Sequence, residues 1–150
     1  MSTKYSEIYN RAMFRFTDYG FLDIYADKRD KIMRKYLMQA QVDFKPYCQV
    51  DLEDYNDDEE QFNQTLGNEE QEILALGVAY NWLSSKAISS ELLHNTMIRK
   101  DYNSYSPANL LKEITTLRSI LGQEYQGMMK EYSYRYSNLD KLKTGGGSNE

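Results

Sequence analysis

Ile73-Leu74-Ala75-Leu76-Gly77-Val78-Ala79-Tyr80-Asn81-Trp82-Leu83 carries no charge, and Asn81 is its one strongly polar side chain. A helix that is apolar all round must be covered all round, by its own domain or by a neighbour. The stretch therefore reads as a central helix wrapped by others, with Ile73, Leu76, Tyr80, Trp82 and Leu83 in the core. Immediately upstream, Gly67-Asn68 turns the chain, and Asn68 with Gln71 at the third helical position makes a capping box. Glu69, Glu70 and Glu72 crowd the first turn, where the helix dipole favours negative charge.

Downstream, Ser84-Ser85 reads as the end of the central helix, and Ser89 as the cap of a shorter one carrying Leu92, Leu93 and Met97. Ser106-Pro107 starts the last helix, with a capping hydroxyl before a first-turn proline. Its apolar stripe is Leu110, Ile114, Leu117, Leu121, Tyr125, Met128 and Tyr132, with Gly122 and Gly127 as weak points. At Tyr132-Ser133-Tyr134-Arg135-Tyr136 the period changes to two, which is the alternation of an extended strand. The glycine-rich end then reads as a flexible tail.

Toward the N-terminus, Tyr5, Ile8, Tyr9, Ala12, Met13 and Phe16 keep helical spacing, and Gly20 is a natural C-terminal stop. Asp27 caps a second helix whose buried stripe is Met33, Tyr36 or Leu37, Ala40 and Phe44, stopped by Pro46. No convincing run of strands is present. The expected class is all-α: a helical bundle around a central apolar helix, with a long C-terminal helix and an extended tail. Residues 1–136 form the domain and 137–150 the tail.

A chain of 150 residues is long enough to bury a real core as one domain. No uncharged run approaches the ~18 residues of a membrane span, and the start lacks the apolar stretch of a secretory signal. The single cysteine, Cys48, excludes an internal disulfide, fits a reducing compartment and reads as a buried structural thiol. Fourteen tyrosines against one tryptophan and five phenylalanines give large contact area with polar tips, which suits interfaces that are wet before assembly and dry after it.

Charge is segregated. Residues 46–85 hold ten acids and no Lys or Arg; the remainder holds 18 bases against 13 acids. A net-acidic chain is a poor candidate for gripping DNA phosphates, whereas pairing between the two zones, within or between subunits, is physically sound. Residues 51–60 carry seven acids and read as a solvated, mobile loop. Asp51, Glu53, Asp54, Asn56, Asp57 and Asp58 offer oxygens, but the spacing and turn glycine of an EF-hand are missing. The basic group Lys28, Arg29, Lys31, Arg34 and Lys35 lies on the second helix. It reads either as an exposed, locally paired face or, more sharply, as a subunit interface in which Arg34 and Lys35 meet Asp54, Asp57 and Asp58 of a neighbouring copy. With one histidine, His94, and one cysteine, the chain has no cluster to hold zinc, and no Gly-rich phosphate loop precedes a helix. No catalytic residue, metal ligand or cofactor site is expected, because no polar groups with convergent spacing are present.

Several segments, taken in order, carry a resemblance: Tyr5-Ser6-Glu7-Ile8-Tyr9, Glu70-Gln71-Glu72-Ile73-Leu74-Ala75-Leu76-Gly77, Asn81-Trp82-Leu83, Lys100-Asp101-Tyr102, and Tyr105-Ser106-Pro107-Ala108-Asn109-Leu110-Leu111-Lys112-Glu113. Together the chain resembles the small helical head–tail connector proteins of tailed bacteriophages, the neck or head-completion adaptors. The resemblance implies a non-enzymatic virion protein, made in the host bacterial cytoplasm. It implies a homo-oligomeric ring, usually of twelve, that docks under the portal protein, extends the DNA channel without specific DNA binding, and meets another neck or tail-completion protein on its far side. It also implies a portal-docking C-terminal segment, carried here by Tyr132, Tyr134, Arg135 and Tyr136. The competing expectation is a small helical binding or regulatory module acting as a monomer or dimer.

Overall fold

The structure is a computed structural model. It describes residues 1–15, 26–98 and 105–145, with side chains for 1–15, 28–85 and 112–137. In chain order the elements are β1 (Thr3–Lys4), α1 (Tyr5–Met13), α2 (Ala26–Phe44), β2 (Tyr55–Asn56), β3 (Gln61–Phe62), α3 (Asn68–Ile98) and α4 (Tyr105–Gly145). The predominantly helical class holds.

The central helix is α3, and it packs against α1, α2 and α4. Every residue from Ile73 to Ala79 is buried, as are Trp82 and Leu83; Tyr80 is half-buried. Each fully buried Leu or Ile there contributes about 1.5–3 kcal/mol relative to exposure. On α2 the buried stripe is Met33, Leu37, Ala40 and Phe44, so the ambiguity with Tyr36 resolves to Leu37. On α1 it is Tyr5, Ile8, Tyr9 and Ala12. On α4 it is Ile114, Leu121, Tyr125, Met129 and Tyr132, with Leu117 and Met128 partly buried against it.

Four local expectations need correction. First, the helix does not stop at Ser84-Ser85; α3 runs unbroken to Ile98. Ser84 Oγ donates to the Tyr80 carbonyl one turn back, at 2.8 Å, and accepts from Arg118 Nε at 2.8 Å. A serine satisfied this way continues a helix instead of capping a new one. Second, residues 51–60 are not an unstructured loop. Tyr55–Asn56 and Gln61–Phe62 form a hairpin, and β1 adds to its other side in a small antiparallel sheet ordered β1-β3-β2.

Third, the start of α3 is capped differently. Glu70, not Gln71, reaches back to the Gly67 N–H at 2.8 Å, while Gln71 Nε2 donates to the Leu66 carbonyl at 3.0 Å. Asn68 Oδ1 is taken instead by Arg11 Nη2 at 2.8 Å. Fourth, the chain is helical through Tyr132–Tyr136 and on to Gly145, so the alternation there is not a strand and the extended tail does not begin at residue 137. The expectations at Phe16 and Gly20, and those for the side chains of Asp27, Leu92, Leu93, His94, Met97 and Leu110, fall outside the described residues and side chains.

α3 and α4 run antiparallel. Ser84 lies beside Arg118, Tyr80 beside Gly122, Gly77 beside Tyr125, Glu70 beside Tyr132 and Glu69 beside Arg135. In that register the first residue of α3 lies level with about Tyr134, so α4 continues past it by roughly eleven residues, some 16 Å at about 1.5 Å per residue.

Candidate functional site

The C-terminal tyrosines divide by the turn of the helix. Tyr132 is fully buried, its ring edge-on to Phe44 at 5.0 Å and tilted against Tyr136 at 4.5 Å. Its hydroxyl donates to Glu70 Oε2 at 2.8 Å and accepts the Gln49 N–H at 3.0 Å. Burial pushes this phenol well above the usual tyrosine range. Tyr132 is thus a core residue that ties α4 to the start of α3. Tyr136 is half-buried beside it. Tyr134 is 69% exposed, and Arg135 pairs with Glu69. Of the four, Tyr134 alone presents its ring freely to solvent.

The basic and acidic residues expected to meet across subunits are partly joined within one chain. Arg34 Nε donates to Asp57 Oδ1 at 2.9 Å, and its guanidinium stands 4.3 Å from the Tyr5 ring centroid and 5.0 Å from that of Tyr55. Tyr5 donates to the same carboxylate oxygen at 3.0 Å. Arg34 therefore clamps the acidic hairpin onto α2. Its Nη2 is buried without a hydrogen-bond partner. Asp54 accepts from Asn63 and Gln64 and closes the hairpin's far side. Lys35 and Asp58 are exposed. The turn is fixed by Asn56 Oδ1, which accepts the N–H groups of Asp58 and Glu59 at 2.9 and 3.2 Å. These local bonds explain how a segment so acidic still holds one shape.

The glutamates of the central helix also do more than satisfy its dipole. Glu72 bridges Arg11 and Arg15, and Arg15 reaches on to Glu124 of α4 at 3.0 Å. Burial pushes the Glu72 carboxyl up, but the hydrogen bonds and charges of Arg15 and Arg11 outweigh it and hold the group below its usual value. Cys48 is half-buried with its sulfur 3.7 Å from Glu70 Oε2. Burial raises its thiol to about 11, so it is a poor nucleophile. Among the described residues no group of three or more His, Cys, Asp or Glu side chains is placed to hold a metal ion. No described helix is long and apolar enough to cross a membrane.

Among the described residues, two clefts stand out on the surface. One, of about 490 Å³, lies over Tyr5, Tyr9 and Arg34, between α1, α2 and the hairpin. The other, of about 390 Å³, lies between α2, α3 and α4. Its walls are Tyr47, Tyr80 and Tyr125, with Asp43 and Met129 beside them and Gly122 beneath. Tyr125 donates to Asp43 Oδ2 at 3.2 Å, and its ring lies 6.1 Å from that of Tyr80. A Cβ at Gly122 would stand 2.9 Å from the Tyr80 ring, so the missing side chain is what lets that ring lie against α4. Sequence reasoning did not find this cleft. Its only signal was the surplus of tyrosine, because residues of α2, α3 and α4 meet there solely through the tertiary fold.

No family model matches the chain, and no curated protein or solved structure matches it.

Proposed function

We propose that the protein is a structural subunit of a tailed-bacteriophage neck. Copies assemble as a ring, taken as dodecameric, that docks under the portal protein, extends the DNA channel and joins the capsid to the tail. The observation that carries the reading is the reach of α4 beyond its partner helix, with the exposed Tyr134 at the root of the projecting turns. A helix that continues past its partner helix offers a neighbour a preformed surface. The segment resemblance supplies the identity of that neighbour as the portal.

Other features support an assembling role. Phe14, Met38, Val42, Tyr47 and Ile120 are large apolar side chains left in solvent, spread over the end of α1, α2 and the turn after it, and α4. Their spread suits a subunit touched on several sides at once. The net charge of −5 suits a channel wall that lets DNA slide.

The burial of Tyr132 decides how the docking segment must be tested. A deletion from Tyr132 onward would open the core, so the informative truncation removes residues 138–150 only. That variant should keep the melting temperature of the full chain while losing co-sedimentation with purified portal rings. Retained co-sedimentation, or absence of density for this subunit beneath the portal in electron cryomicroscopy of intact particles, would overturn the proposal.

A further inference from the structure

We propose that the outer face of α2, with the acidic segment beside it, is a self-complementary surface that pairs with a second copy of this chain. The inference concerns the free protein and does not rest on the neck assignment. Met38 and Val42 lie one helical turn apart on α2, 47% and 66% exposed. They border a groove of about 140 Å³ lined also by Leu52 and Tyr55. The strip points away from the core, because α2 buries Met33, Leu37, Ala40 and Phe44 on its other side. An apolar strip rimmed by charge has the form of a contact surface.

The rim identifies the partner. Along the helix edge Lys35 is exposed, with Lys31 and Lys28 one and two turns back. Along the other edge runs the segment after α2, held down where Gln41 Nε2 donates to the Leu52 carbonyl at 2.9 Å and Arg34 Nε to Asp57 Oδ1 at 2.9 Å. That edge presents Asp57, 57% exposed, and Asp58 beyond it. Arg34 and Tyr5 both use Oδ1 of Asp57, which leaves Oδ2 for a partner. At the far end Lys45 already holds Glu53. A wholly acidic partner would be repelled by the carboxylate edge, and a wholly basic one by the lysine edge. A second copy, turned by half a turn about a line along the strip, meets neither penalty. Its carboxylates lie against the first copy's lysines, its lysines against the first copy's carboxylates, and Val42 against its own counterpart. The register agrees: Asp57 meets α2 at Arg34, next to Lys35, so the half-turn sets carboxylate and lysine at the same height. Exposed ion pairs contribute little, so the apolar strip supplies the attraction and the charges fix the orientation.

The test is sedimentation equilibrium of the full chain from micromolar to millimolar concentration. A reversible monomer–dimer equilibrium is expected, weak as small interfaces are. Val42→Asp should weaken it roughly tenfold or more and Lys35→Glu roughly threefold, both at an unchanged melting temperature because the two positions lie outside the core. Asp58→Lys should weaken it like K35E, and an equimolar mixture of K35E and D58K should regain the affinity of the unaltered chain. In a Cys48→Ser background, Val42→Cys should give a disulfide-linked dimer on mild oxidation, whereas Thr115→Cys on the exposed side of α4 should not. A chain monomeric at every concentration, dimers indifferent to V42D, or no recovery in the mixture would each overturn the pairing. Larger rings that survive V42D and K35E together would overturn it too, while leaving the neck reading intact.

Discussion

At Tyr132 a single hydroxyl joins three parts of the chain: α4, the first turn of α3 and the segment after α2. Replacing it with Phe keeps the ring packing against Phe44 but strips a buried carboxylate of a donor. Tyr132→Phe should therefore cost about 1–3 kcal/mol, read from urea midpoints, the loss of a buried hydrogen bond with its partner left behind. No measurable change would mean that Glu70 finds another donor. Cys48 belongs to the same cluster, and its raised thiol pKa predicts slow alkylation by iodoacetamide at neutral pH, accelerating only with unfolding. At this scale the sequence was partly legible. Met33, Ala40 and Phe44 of the α2 stripe could be placed from spacing, while the choice between Tyr36 and Leu37 could not. The pairings of Glu70 with Tyr132 and of Arg34 with Asp57 could not, because they span 62 and 23 residues of the chain.

Helices α3 and α4 approach closely at Gly77 and not at Gly127. A Cβ on Gly77 would fall 2.5 Å from the Ala40 Cβ and 2.8 Å from the Tyr125 hydroxyl oxygen; one on Gly127 would meet nothing within 4 Å. The two substitutions to alanine should consequently move stability in opposite directions. Gly77→Ala should destabilise by about 1–3 kcal/mol through overpacking. Gly127→Ala should stabilise by about 0.5–1 kcal/mol through helix propensity. Thermal melts of both variants check the pair, and a common sign would refute the packing account. The existence of each helix was readable from apolar periodicity. Two element boundaries were not. Ser84 looked like a stop because serine favours caps, yet its hydroxyl is absorbed by the turn beneath it and by Arg118. Tyr132 and Tyr136 looked like alternating strand positions, although they are also one helical turn apart, and burial of the inner ring decides for the helix. The hairpin at 55–62 has too few strand-forming residues to announce itself, and its third strand comes from the far end of the chain.

Across the whole molecule, stability has a working pH range set from both sides. Burial raises the phenols of Tyr5, Tyr9, Tyr125 and Tyr132 far above the ordinary value of 10.0. A group whose folded pKa lies above its unfolded one stabilises fully below the unfolded value and loses that contribution as pH rises. Alkaline unfolding should accordingly begin above pH 10, with the phenolate absorbance of these residues appearing together with loss of helical circular dichroism. Glu72 acts in the opposite sense. Its folded pKa lies below the ordinary carboxyl value of 4.5, so its contribution is present above that pH and fades as acid drives the solution lower. Replacing it with Gln should flatten the acid limb of the pH–stability curve, and an unchanged limb would move the effect to other carboxylates.

The sheet has one more implication, for synthesis. Thr3 and Lys4 find their backbone partners at Phe62 and Gln61, and Thr3 Oγ1 accepts the Leu66 N–H at 2.8 Å. During synthesis Thr3 and Lys4 must therefore wait for a segment made some sixty positions later before they can dock. A nascent chain stalled short of that segment should remain protease-sensitive around Thr3 and Lys4, and one stalled well beyond it should not.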